Sequence, residues 1–487
     1  MEVAMMFPMF EWVVAGGEHL KEWVALWIVL ICAVRPKLRV PVILSLPLFV
    51  LFMISYAVVE SRILARREGY DLSLPSIRSK METYIETGEG GPPSEIIASK
   101  KYAPTLGYWE ISRYVGTSFF EFASHTTGQD LANVHEGYNK GHDWFEATLG
   151  EPMFYSSGFF LEQFGDGDEP LETGNPDNFV YTESLDTAQL RKMEYITHAL
   201  GVKPGMKALD IGSGWGRFAE YLAQKGAEVT GVVVAHDLAH YAHRLNKHHG
   251  KRVKFIAQNF YDVELPEKSF DVISAVEMSE HAGVANFNVF LKKIISLLKD
   301  EGTFYIQCSG LQRGYATTGY NNYNELIWGL FMEQHVFPGA DSSTPLGWIT
   351  THLERSGFEV QNAHNMGISY ARTLHAWQRV WESKKDEISK IYGVKAWRRW
   401  HVFLSWCVQY PARHGGSTVN FITATKAGAF KARYDAQYRL APGRWVSPSA
   451  KELGTLVPRQ GNGSFIEKCN NGGYNTSATP CQLGFEL

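Results

Sequence analysis

One segment, Ala208–Leu222 (A-L-D-I-G-S-G-W-G-R-F-A-E-Y-L), constrains the fold of this chain more than any other. It predicts a short apolar strand that ends near Asp210, a turn that contains three glycines, and an amphipathic helix. Glycine has no Cβ atom, so backbone N–H groups of such a turn approach a ligand closely, and the helix N-terminus adds partial positive charge. Turns of this kind lie at the carboxyl edge of a parallel sheet. The segment therefore predicts an α/β fold with a ligand site at this turn.

The spacing of the three glycines narrows the class of ligand. Gly212, Gly214 and Gly216 alternate with other residues, whereas the dinucleotide fingerprint is G-x-G-x-x-G. Asp210 precedes the first glycine by two positions, which gives the pattern D-x-G-x-G. That pattern is typical of proteins that bind S-adenosylmethionine. A lone glycine turn is common, so the prediction of an S-adenosylmethionine site also needs support from the rest of the chain.

Apolar strands and amphipathic helices alternate from residue 185 onward, as a doubly wound sheet requires. The predicted strands are 206–211, 228–234, 253–257, 270–276, 303–307 and 419–425. The predicted helices include 185–200, 287–299, 370–390 and 395–409. An aromatic-rich insertion over 311–357 interrupts this alternation. We therefore predict one α/β domain over 131–430, preceded by a linker and helical segment over 66–130 and followed by an irregular tail over 431–487.

Two apolar runs near the N-terminus indicate a membrane anchor. Val40–Val59 contains 20 residues without a charge, which is enough to cross a bilayer core of about 30 Å. Trp23–Val34 is a shorter run, and the basic segment Arg35–Arg39 separates the two. Basic residues flank both ends of the second run, so charge gives no orientation. No small-residue cleavage site of a signal peptide follows. We predict a permanent anchor in residues 1–65, formed by one or two transmembrane helices.

The composition excludes several other classes of function. Charged residues make up 20% of the chain and the formal net charge is −4, so we predict no nucleic-acid partner. The five cysteines form no C-x-x-C pair, which argues against a zinc ribbon or a disulfide scaffold. The histidines His236, His240, His243, His248 and His249 form a run in which the first three share a helical face, and no carboxylate or cysteine partner completes a metal site. We interpret this face as solvated and predict no metal site.

Five segments contain side chains of catalytic type. Ser274–Gly283 (S-A-V-E-M-S-E-H-A-G) follows the fourth predicted strand, which places its glutamates and its histidine at the ligand edge of the sheet. The others are Gly137–Glu146, Met153–Gly158, Phe337–Gly347 and Ser369–Trp377. Together they resemble the cyclopropane-fatty-acid-synthase-like methyltransferases over about residues 130–430. The fungal sphingolipid C9-methyltransferases in particular carry near-identical versions of Glu277–Gly283, Trp328–Met332 and Phe337–Leu346.

The resemblance implies a Rossmann-like class I methyltransferase fold with a seven-stranded, mostly parallel sheet, helical lid insertions and N-terminal transmembrane helices. It implies that Asp210 and the three glycines hold the methionine part of S-adenosylmethionine, with Tyr138 near its carboxylate. The ribose-contacting pattern T-L-S-x-x-Q is replaced here by V-V-A-H-D-L, which leaves Asp237 or His236 for that role. The remaining predicted cofactor-binding residues are Tyr155, Ser156, Gln258, Asn259 and Glu277.

The same resemblance implies the catalytic residues, which are Glu280, His281, Gln307 and Tyr370. In the family, the residues that correspond to Glu280 and Tyr370 are linked to a bound bicarbonate that acts as a base. The bacterial synthases surround that bicarbonate with a cysteine, a histidine and an isoleucine. The aligned residues here are Ser157, Gln307 and Ser309, so the presence of bicarbonate stays open.

The expected chemistry is methyl transfer to an isolated carbon–carbon double bond. The attack leaves a carbocation, which aromatic faces stabilise by about 0.5–2 kcal/mol per ring. A general base then removes one proton. Loss of a proton from the new methyl group gives a cyclopropane, whereas loss from a chain carbon gives a methyl-branched alkene.

The sequence therefore predicts an S-adenosylmethionine-dependent methyltransferase that acts on carbon 9 of the sphingoid base of a ceramide or glucosylceramide and keeps the 8,9 double bond. We expect an anchor in the endoplasmic reticulum membrane and a cytosolic catalytic domain. One alternative is cyclopropane synthesis on unsaturated phospholipid acyl chains. The other is an inactive membrane-anchored scaffold with a methyltransferase fold. The lipid head group and the oligomeric state stay open.

Overall fold

A computed structural model of the chain describes eight stretches of residues. They are 36–99, 101–113, 140–161, 183–281, 286–311, 323–337, 344–409 and 415–453. All of them belong to one compact unit, Met1–Leu456. The first apolar run, Trp23–Val34, lies outside the described residues, as do Tyr138 and the tail beyond Leu453. The predicted division into four domains stays a prediction.

Helices and strands alternate through the second half of the chain. The helices are α1 Pro36–Arg67, α2 Ile77–Thr87, α3 Pro93–Ala98, α4 His142–Leu149, α5 Leu185–Leu200, α6 Arg217–Gln224, α7 His236–Leu245, α8 Phe287–Leu297, α9 Tyr323–His335, α10 Leu346–Arg355, α11 Gly367–Ser383, α12 Lys385–Tyr392, α13 Val394–Cys407, α14 Phe430–Arg439 and α15 Ala450–Leu453. The strands are β1 Lys207–Ile211, β2 Glu228–Val233, β3 Val253–Ala257, β4 Phe270–Val276, β5 Leu298–Leu311, β6 Phe358–Asn365 and β7 Ser417–Lys426.

The seven strands form one sheet in the order β3-β2-β1-β4-β5-β7-β6. Strands β1 to β5 pair in parallel, and β7 runs antiparallel between β5 and β6. This confirms the predicted seven-stranded, mostly parallel sheet. The carboxyl ends of β1, β2 and β4 meet at one edge of the sheet, which is where an open α/β sheet binds its ligand.

Both faces of the sheet are covered by helices. Successive side chains of a strand point to opposite faces. Leu209 and Ile211 of β1 accordingly pack in one apolar cluster with α8 and α10, and Ala208 packs in a second with α5 and α6. A parallel sheet that is buried on both faces needs nearly continuous apolar strands. This need explains why β1 to β4 were predicted to within one or two residues.

The predicted strand list missed β6 and the first half of β5. β6 reads F-E-V-Q-N-A-H-N and forms the edge of the sheet, so most of its side chains are half-buried or exposed. An edge strand with polar side chains lacks the apolar signal of a central strand. β5 begins at Leu298, directly after α8, and an irregularity in its pairing with β4 separates that first residue from the regular part at Thr303.

A third apolar cluster is rich in tryptophan and joins the helices outside the sheet. The helix predicted at 370–390 ends at Ser383, and α12 begins after a break at Lys384. Trp381 of α11 and Trp397 of α13 exchange hydrogen bonds, each indole nitrogen donating to the carbonyl oxygen of the other residue at 3.1 and 3.2 Å. Helices α2 and α3, from the segment predicted as a linker and helical region, pack against α13.

The predicted membrane span Val40–Val59 lies within the helix α1. The structure describes the side chains of this helix from Val50 onward, except that of Met53. In the described part of the chain, no helix combines the length and the apolarity needed to cross a membrane. The predicted transmembrane helices are therefore not confirmed. The described part of α1 buries Ile54 and Ala57 but leaves Leu51 59% and Phe52 63% exposed.

The predicted irregular tail begins with a helix instead. In α14, Ala432 and Ala436 lie one helical turn apart and are both buried. Arg439 at the end of α14 donates a hydrogen bond to the carbonyl oxygen of Ala199 at 2.9 Å. The alternation of small and polar residues (F-K-A-R-Y-D-A-Q-Y-R) is a weak helical signal, because only two alanines mark the buried face.

Candidate active site

The glycine turn has the conformation that its sequence predicts. Gly212, Gly214 and Gly216 have φ angles of 75°, 52° and 80°, in the left-handed region that other residues rarely adopt. A Cβ atom on Gly212 would lie 2.4 Å from Cγ of Met278. Close packing therefore requires glycine there, while Gly214 faces open space. Backbone N–H groups of Gly212 and Ser213 donate to the carbonyl oxygen of Val232, at 2.9 and 3.1 Å, which ties the turn to β2.

A cavity of about 1060 Å³, including its space open to solvent, lies against this turn. Its walls come from the turn, from the ends of β2, β3 and β4, and from the segment 153–155. The structure brings seven of the predicted site residues together here: Tyr155, Gly212, Gly214, Gln258, Asn259, Glu277 and His281. Sequence reasoning did not single out Trp215, Val234 and Leu238, which also line the cavity.

Four predicted cofactor-binding residues lie off the cavity wall. Asp210 is buried behind the turn and accepts a hydrogen bond from the Ser274 hydroxyl at 2.8 Å. Burial raises the pKa of Asp210 to about 6, while hydrogen bonds from Ser274 and Ser213 oppose the rise. Asp210 thus supports the turn from behind. The other three are Ser156, Gly216 and Asp237; Asp237 is exposed in the first turn of α7.

Glu277 follows β4 directly and has an unusual backbone. Its φ of 47° is in the left-handed region, which costs a non-glycine residue free energy and is concentrated at functional sites. Its carboxylate Oε1 accepts hydrogen bonds from the Ser157 backbone N–H at 3.0 Å and from the Gln307 amide at 2.7 Å. Burial raises the pKa of Glu277, while the nearby Lys192 charge and these two hydrogen bonds lower it.

Glu280 lies in the 3-10 turn Ser279–His281 that follows. Its Oε1 accepts two hydrogen bonds from Ser309, at 2.6 Å from the backbone N–H and at 2.9 Å from the hydroxyl. Burial, and secondly the charge of Glu277, raise the pKa of Glu280 to about 7. A carboxyl group with this pKa is ionised in part at neutral pH and is suited to accept a proton.

Gln307 and Tyr370 complete the group around the two carboxylates. Gln307 is fully buried in β5, and its side-chain oxygen accepts a hydrogen bond from the Tyr305 hydroxyl at 3.3 Å. Tyr370 is in the first turn of α11. Burial first, then Cys407, and after it the charges of Glu277 and Glu280 raise the pKa of Tyr370 well above its usual value. Tyr370 therefore stays a neutral phenol. Three of the four predicted catalytic residues thus surround Glu277, and His281 lies on the cavity wall.

Sequence reasoning missed Lys192, the cation nearest to this group in the described chain. Lys192 is fully buried in α5, donates to the Ser156 hydroxyl, and lies 3.6 Å from the ring centroid of Phe154. Burial lowers its pKa well below the usual value, and the charge of Glu277 opposes that change. The sequence contained one signal that Lys192 is buried, which is its helical spacing. Lys192 stands four residues after Ala188 and seven before Ala199, and both alanines are buried.

One threonine and one serine side chain bind the segment 158–160, which follows the residues that line the cavity. Thr373 accepts a hydrogen bond from the Gly158 N–H at 2.9 Å, and Ser369 accepts one from the Phe160 N–H at 3.3 Å. Both acceptors belong to α11, the helix of Tyr370. The segment carrying Ser157 is thereby fixed relative to Tyr370.

The hydrogen-bond donors around Glu277 and Glu280 are not arranged to hold a bound bicarbonate. At the three positions where bacterial synthases surround that anion, Ser157 and Gln307 donate to Glu277, and Ser309 donates to Glu280. A bicarbonate ion would lie beside two carboxyl groups, and the hydrogen-bond donors that it would need already donate to those carboxyl groups. Among the described residues, the site is therefore complete without bicarbonate.

The expectation that no carboxylate partners the histidine run was wrong for its last two members, because Glu220 of α6 lies beside them. Glu220, His248 and His249 have potential ligand atoms within 4.8 Å of one another. One oxygen of Glu220 accepts a hydrogen bond from Arg217 at 2.9 Å, so this carboxylate also forms an ion pair with a residue outside the group. His236, His240 and His243 are not members of this group.

Comparison with known protein families agrees with the fold. The family model of mycolic acid cyclopropane synthetase matches residues 125–418, more than half of the 487-residue chain. The chain belongs to this family. Members of the mycolic acid cyclopropane synthetase family thus share the domain that carries the glycine turn, Glu280 and Tyr370.

Within this family, curated relatives include two fungal enzymes. Sphingolipid C9-methyltransferase 2 of Gibberella zeae is 32% identical over 310 residues, which is 63% of this chain and 55% of that protein. The sphingolipid C9-methyltransferase of Komagataella phaffii is 32% identical over 295 residues, which is 58% of this chain and 56% of that protein. The chain therefore spans little more than half the length of these relatives.

Solved structures agree on the fold. The cyclopropane synthase MmaA2 from Mycobacterium tuberculosis is 21% identical, with a TM-score of 0.54 over 61% of this chain and 98% of that one. Coclaurine N-methyltransferase, solved with N-methylheliamine and SAH, is 15% identical, with a TM-score of 0.51 over 72% of this chain and 98% of that one. The sheet is thus that of an α/β methyltransferase.

Proposed function

We propose that the protein is an S-adenosylmethionine-dependent methyltransferase that methylates carbon 9 of the sphingoid base of a ceramide or glucosylceramide and keeps the 8,9 double bond. The sphingolipid C9-methyltransferases of Gibberella zeae and Komagataella phaffii support this substrate class. The strongest structural support is the placement of Glu280. It is a buried carboxyl group, oriented by Ser309 and with a pKa of about 7, close to the cavity of the glycine turn.

The cavity fits S-adenosylmethionine as the methyl donor. Gly214 presents backbone without a Cβ atom to open space, and the side-chain amides of Gln258 and Asn259 line the same cavity. These amides offer hydrogen bonds to an adenine, and Trp215 and Tyr155 offer aromatic walls. When bound, S-adenosylmethionine supplies an electrophilic methyl group on a sulfonium.

The residues of the site then have three tasks. The aromatic side chains Tyr155 and Tyr370 stabilise a positive charge on the lipid chain by about 0.5–2 kcal/mol each. The buried surroundings exclude water, which would otherwise convert the cation to an alcohol. Glu280 accepts the proton that restores the double bond, and Ser309 keeps its Oε1 oriented during this transfer.

We propose further that α1 holds the enzyme at a membrane, where its lipid substrate resides, with the active site in the cytosol at the endoplasmic reticulum. The exposed apolar side chains of Leu51 and Phe52, with Arg66 and Arg67 in the last turn of α1, support membrane contact. Replacing both apolar residues by aspartate (L51D/F52D) is expected to weaken co-sedimentation with anionic phospholipid vesicles. The matched control is V446D, a substitution at another exposed apolar residue. Unchanged co-sedimentation of L51D/F52D would contradict this proposal.

Expression in a host that lacks the activity, followed by NMR of sphingoid bases and fatty acids, tests the substrate. A 9-methyl-branched sphingoid base is the expected product. A cyclopropane signal in the acyl chains with unchanged sphingoid bases would instead support the alternative reaction. Mass alone does not separate them, because both reactions add one CH2.

A Glu280→Gln variant tests the proposed base. It is expected to lose turnover while calorimetry still detects S-adenosylmethionine binding. The control Glu387→Gln changes an exposed carboxylate and should keep full activity. A wild-type protein that binds no S-adenosylmethionine would favour the inactive scaffold.

A further inference from the structure

We infer that this enzyme works without bicarbonate, because the side chain of Glu277 takes the place of that anion and Glu280 receives the proton directly. The inference rests on the proposed function and concerns the same site. It is carried by the hydrogen bonds of two carboxyl groups with three neighbouring residues, Ser157, Gln307 and Ser309.

The first argument is the match between donors and carboxylate. A bicarbonate ion and a carboxylate both have a planar carbon with oxygen acceptors, three in bicarbonate and two in the carboxylate. Oε1 of Glu277 accepts hydrogen bonds from Ser157 and Gln307 at 3.0 and 2.7 Å, at two of the three positions that align with bicarbonate neighbours in the bacterial synthases. The third position, Ser309, donates to Glu280 instead. The donors are therefore occupied by carboxyl groups of the chain itself.

The second argument is the backbone of Glu277. A residue with a φ of 47° directs its side chain differently from one in a regular strand end, and this conformation is unfavourable for glutamate. The hydrogen bond from the Glu277 N–H to the Gln307 carbonyl oxygen at 2.7 Å holds the strained residue in register with β5. The chain thus maintains an unfavourable backbone at the residue whose carboxylate reaches the donors.

The third argument is charge. Lys192 is the buried cation whose charge acts on Glu277, and the charge of Glu277 in turn acts on Glu280. In the described part of the chain, the groups that donate to the pair, or whose pKa its charges raise, are neutral: Ser157, Ser279, Tyr305, Gln307, Cys308, Ser309 and the Tyr370 phenol. A bicarbonate would add a third acidic group to a site whose described residues supply one cation. Low-dielectric surroundings make such an addition costly.

The reaction balances with Glu280 as the only base. The π electrons of the double bond form the new carbon–carbon bond to the methyl group, while the methyl–sulfur bond breaks and its electron pair stays on sulfur. A hydride shift moves the positive charge to the methylated carbon. The adjacent C–H bond then supplies the electron pair of the new double bond, and its proton passes to an oxygen of Glu280.

Bicarbonate depletion of the purified full-length protein tests the inference. Turnover should be equal in carbon-dioxide-free buffer and in buffer with added sodium bicarbonate. NMR with carbon-13-labelled bicarbonate should show no protein-bound signal. Loss of turnover on depletion with recovery on addition, or a bound signal in the wild-type protein that is lost in E280Q, would overturn the inference. Absence of turnover under both conditions would count against the proposed function, while the NMR result would still decide on bicarbonate.

Variants of Glu277 give a second test. E277A removes the carboxylate and is expected to lower turnover about a hundredfold, because misplaced catalytic groups cost this order of rate. Added bicarbonate should restore part of it by occupying the freed donors. If E277A does not fold, E277Q keeps the shape and should shift the pH profile of kcat/KM to lower pH, because the charge of Glu277 raises the pKa of Glu280. Wild-type turnover of E277A, or an unshifted profile of E277Q, would contradict the assignment.

Discussion

The backbone N–H of Ser309 donates a 2.6 Å hydrogen bond to Oε1 of Glu280, and the Ser309 hydroxyl adds a second at 2.9 Å. One residue of β5 thus fixes the orientation of a carboxyl group that burial would otherwise keep protonated. Both hydrogen bonds favour the ionised form, so the pKa of Glu280 is held near 7 rather than higher. The two hydrogen bonds thus set both the orientation of the proposed base and the pH range in which it is charged.

Activity should therefore rise with pH through neutrality. Glu280 accepts a proton only when ionised, and its pKa is about 7. The logarithm of kcat/KM is expected to increase with pH below about 7 and to level off above it. Initial rates across a buffer series check this, and a profile already flat from pH 5 upward would contradict Glu280 as the base.

Removal of the Ser309 hydroxyl should move that profile to higher pH. Ser309→Ala deletes one hydrogen bond to the ionised carboxylate, and such a bond contributes about 1.5–3 kcal/mol. The midpoint is expected to rise by about one to two pH units, since one unit corresponds to about 1.4 kcal/mol. Ser309→Thr keeps a hydroxyl and serves as the control. Equal midpoints in the alanine and threonine variants would exclude this role of the hydroxyl.

Glu280→Gln should stabilise the fold in alkaline solution although it abolishes turnover. The pKa of Glu280 rises from 4.5 to about 7 on folding, so its contribution to stability is complete below about 4.5 and is lost as pH rises through about 7. At pH 8 the ionised group costs about 3 kcal/mol, which the uncharged glutamine avoids. Thermal unfolding at pH 5 and pH 8 measures this. A variant that is less stable than wild type at pH 8 would be the contrary result.

Lys192→Met should destabilise the protein through Glu277. It leaves a buried carboxylate without its neighbouring cation, which costs about 3–5 kcal/mol. The double variant K192M/E277Q is expected to recover part of that loss, because the carboxylate is then absent. Lys203→Met, at an exposed position, is the control. Strictly additive effects of K192M and E277Q in denaturant unfolding would show that the two side chains are not coupled.

The sequence predicted the central sheet well because buried parallel strands carry a strong apolar signal. β1, β2 and β4 lie within one residue of their predicted bounds, since each lies inside the sheet and is buried along most of its length. The polar edge strand β6 was missed for the opposite reason. The break between two helices at Lys384 depends on how α11 and α12 pack against their neighbours. The spacing of apolar residues along the sequence carries no information about that packing.

The residues of the site were predicted from motif resemblance rather than from spacing. Glu277 and Gln307 are 30 positions apart, and their contact depends on the register of β4 against β5. Lys192 escaped notice because a lysine in a helix normally reads as a surface residue. Asp210 was predicted at the ligand but lies behind the turn, since the strand directs its side chain into the protein.

Strand β5 sets the spacing between the hydrogen-bond donors of the two acidic groups. Gln307 and Ser309 stand two positions apart, so both side chains leave the same face of the strand, one for Glu277 and one for Glu280. A slip of one position would detach both acids at once. The two proposed roles, an acid that takes the place of the anion and an acid that accepts the proton, therefore depend on the register of one strand rather than on two independent contacts.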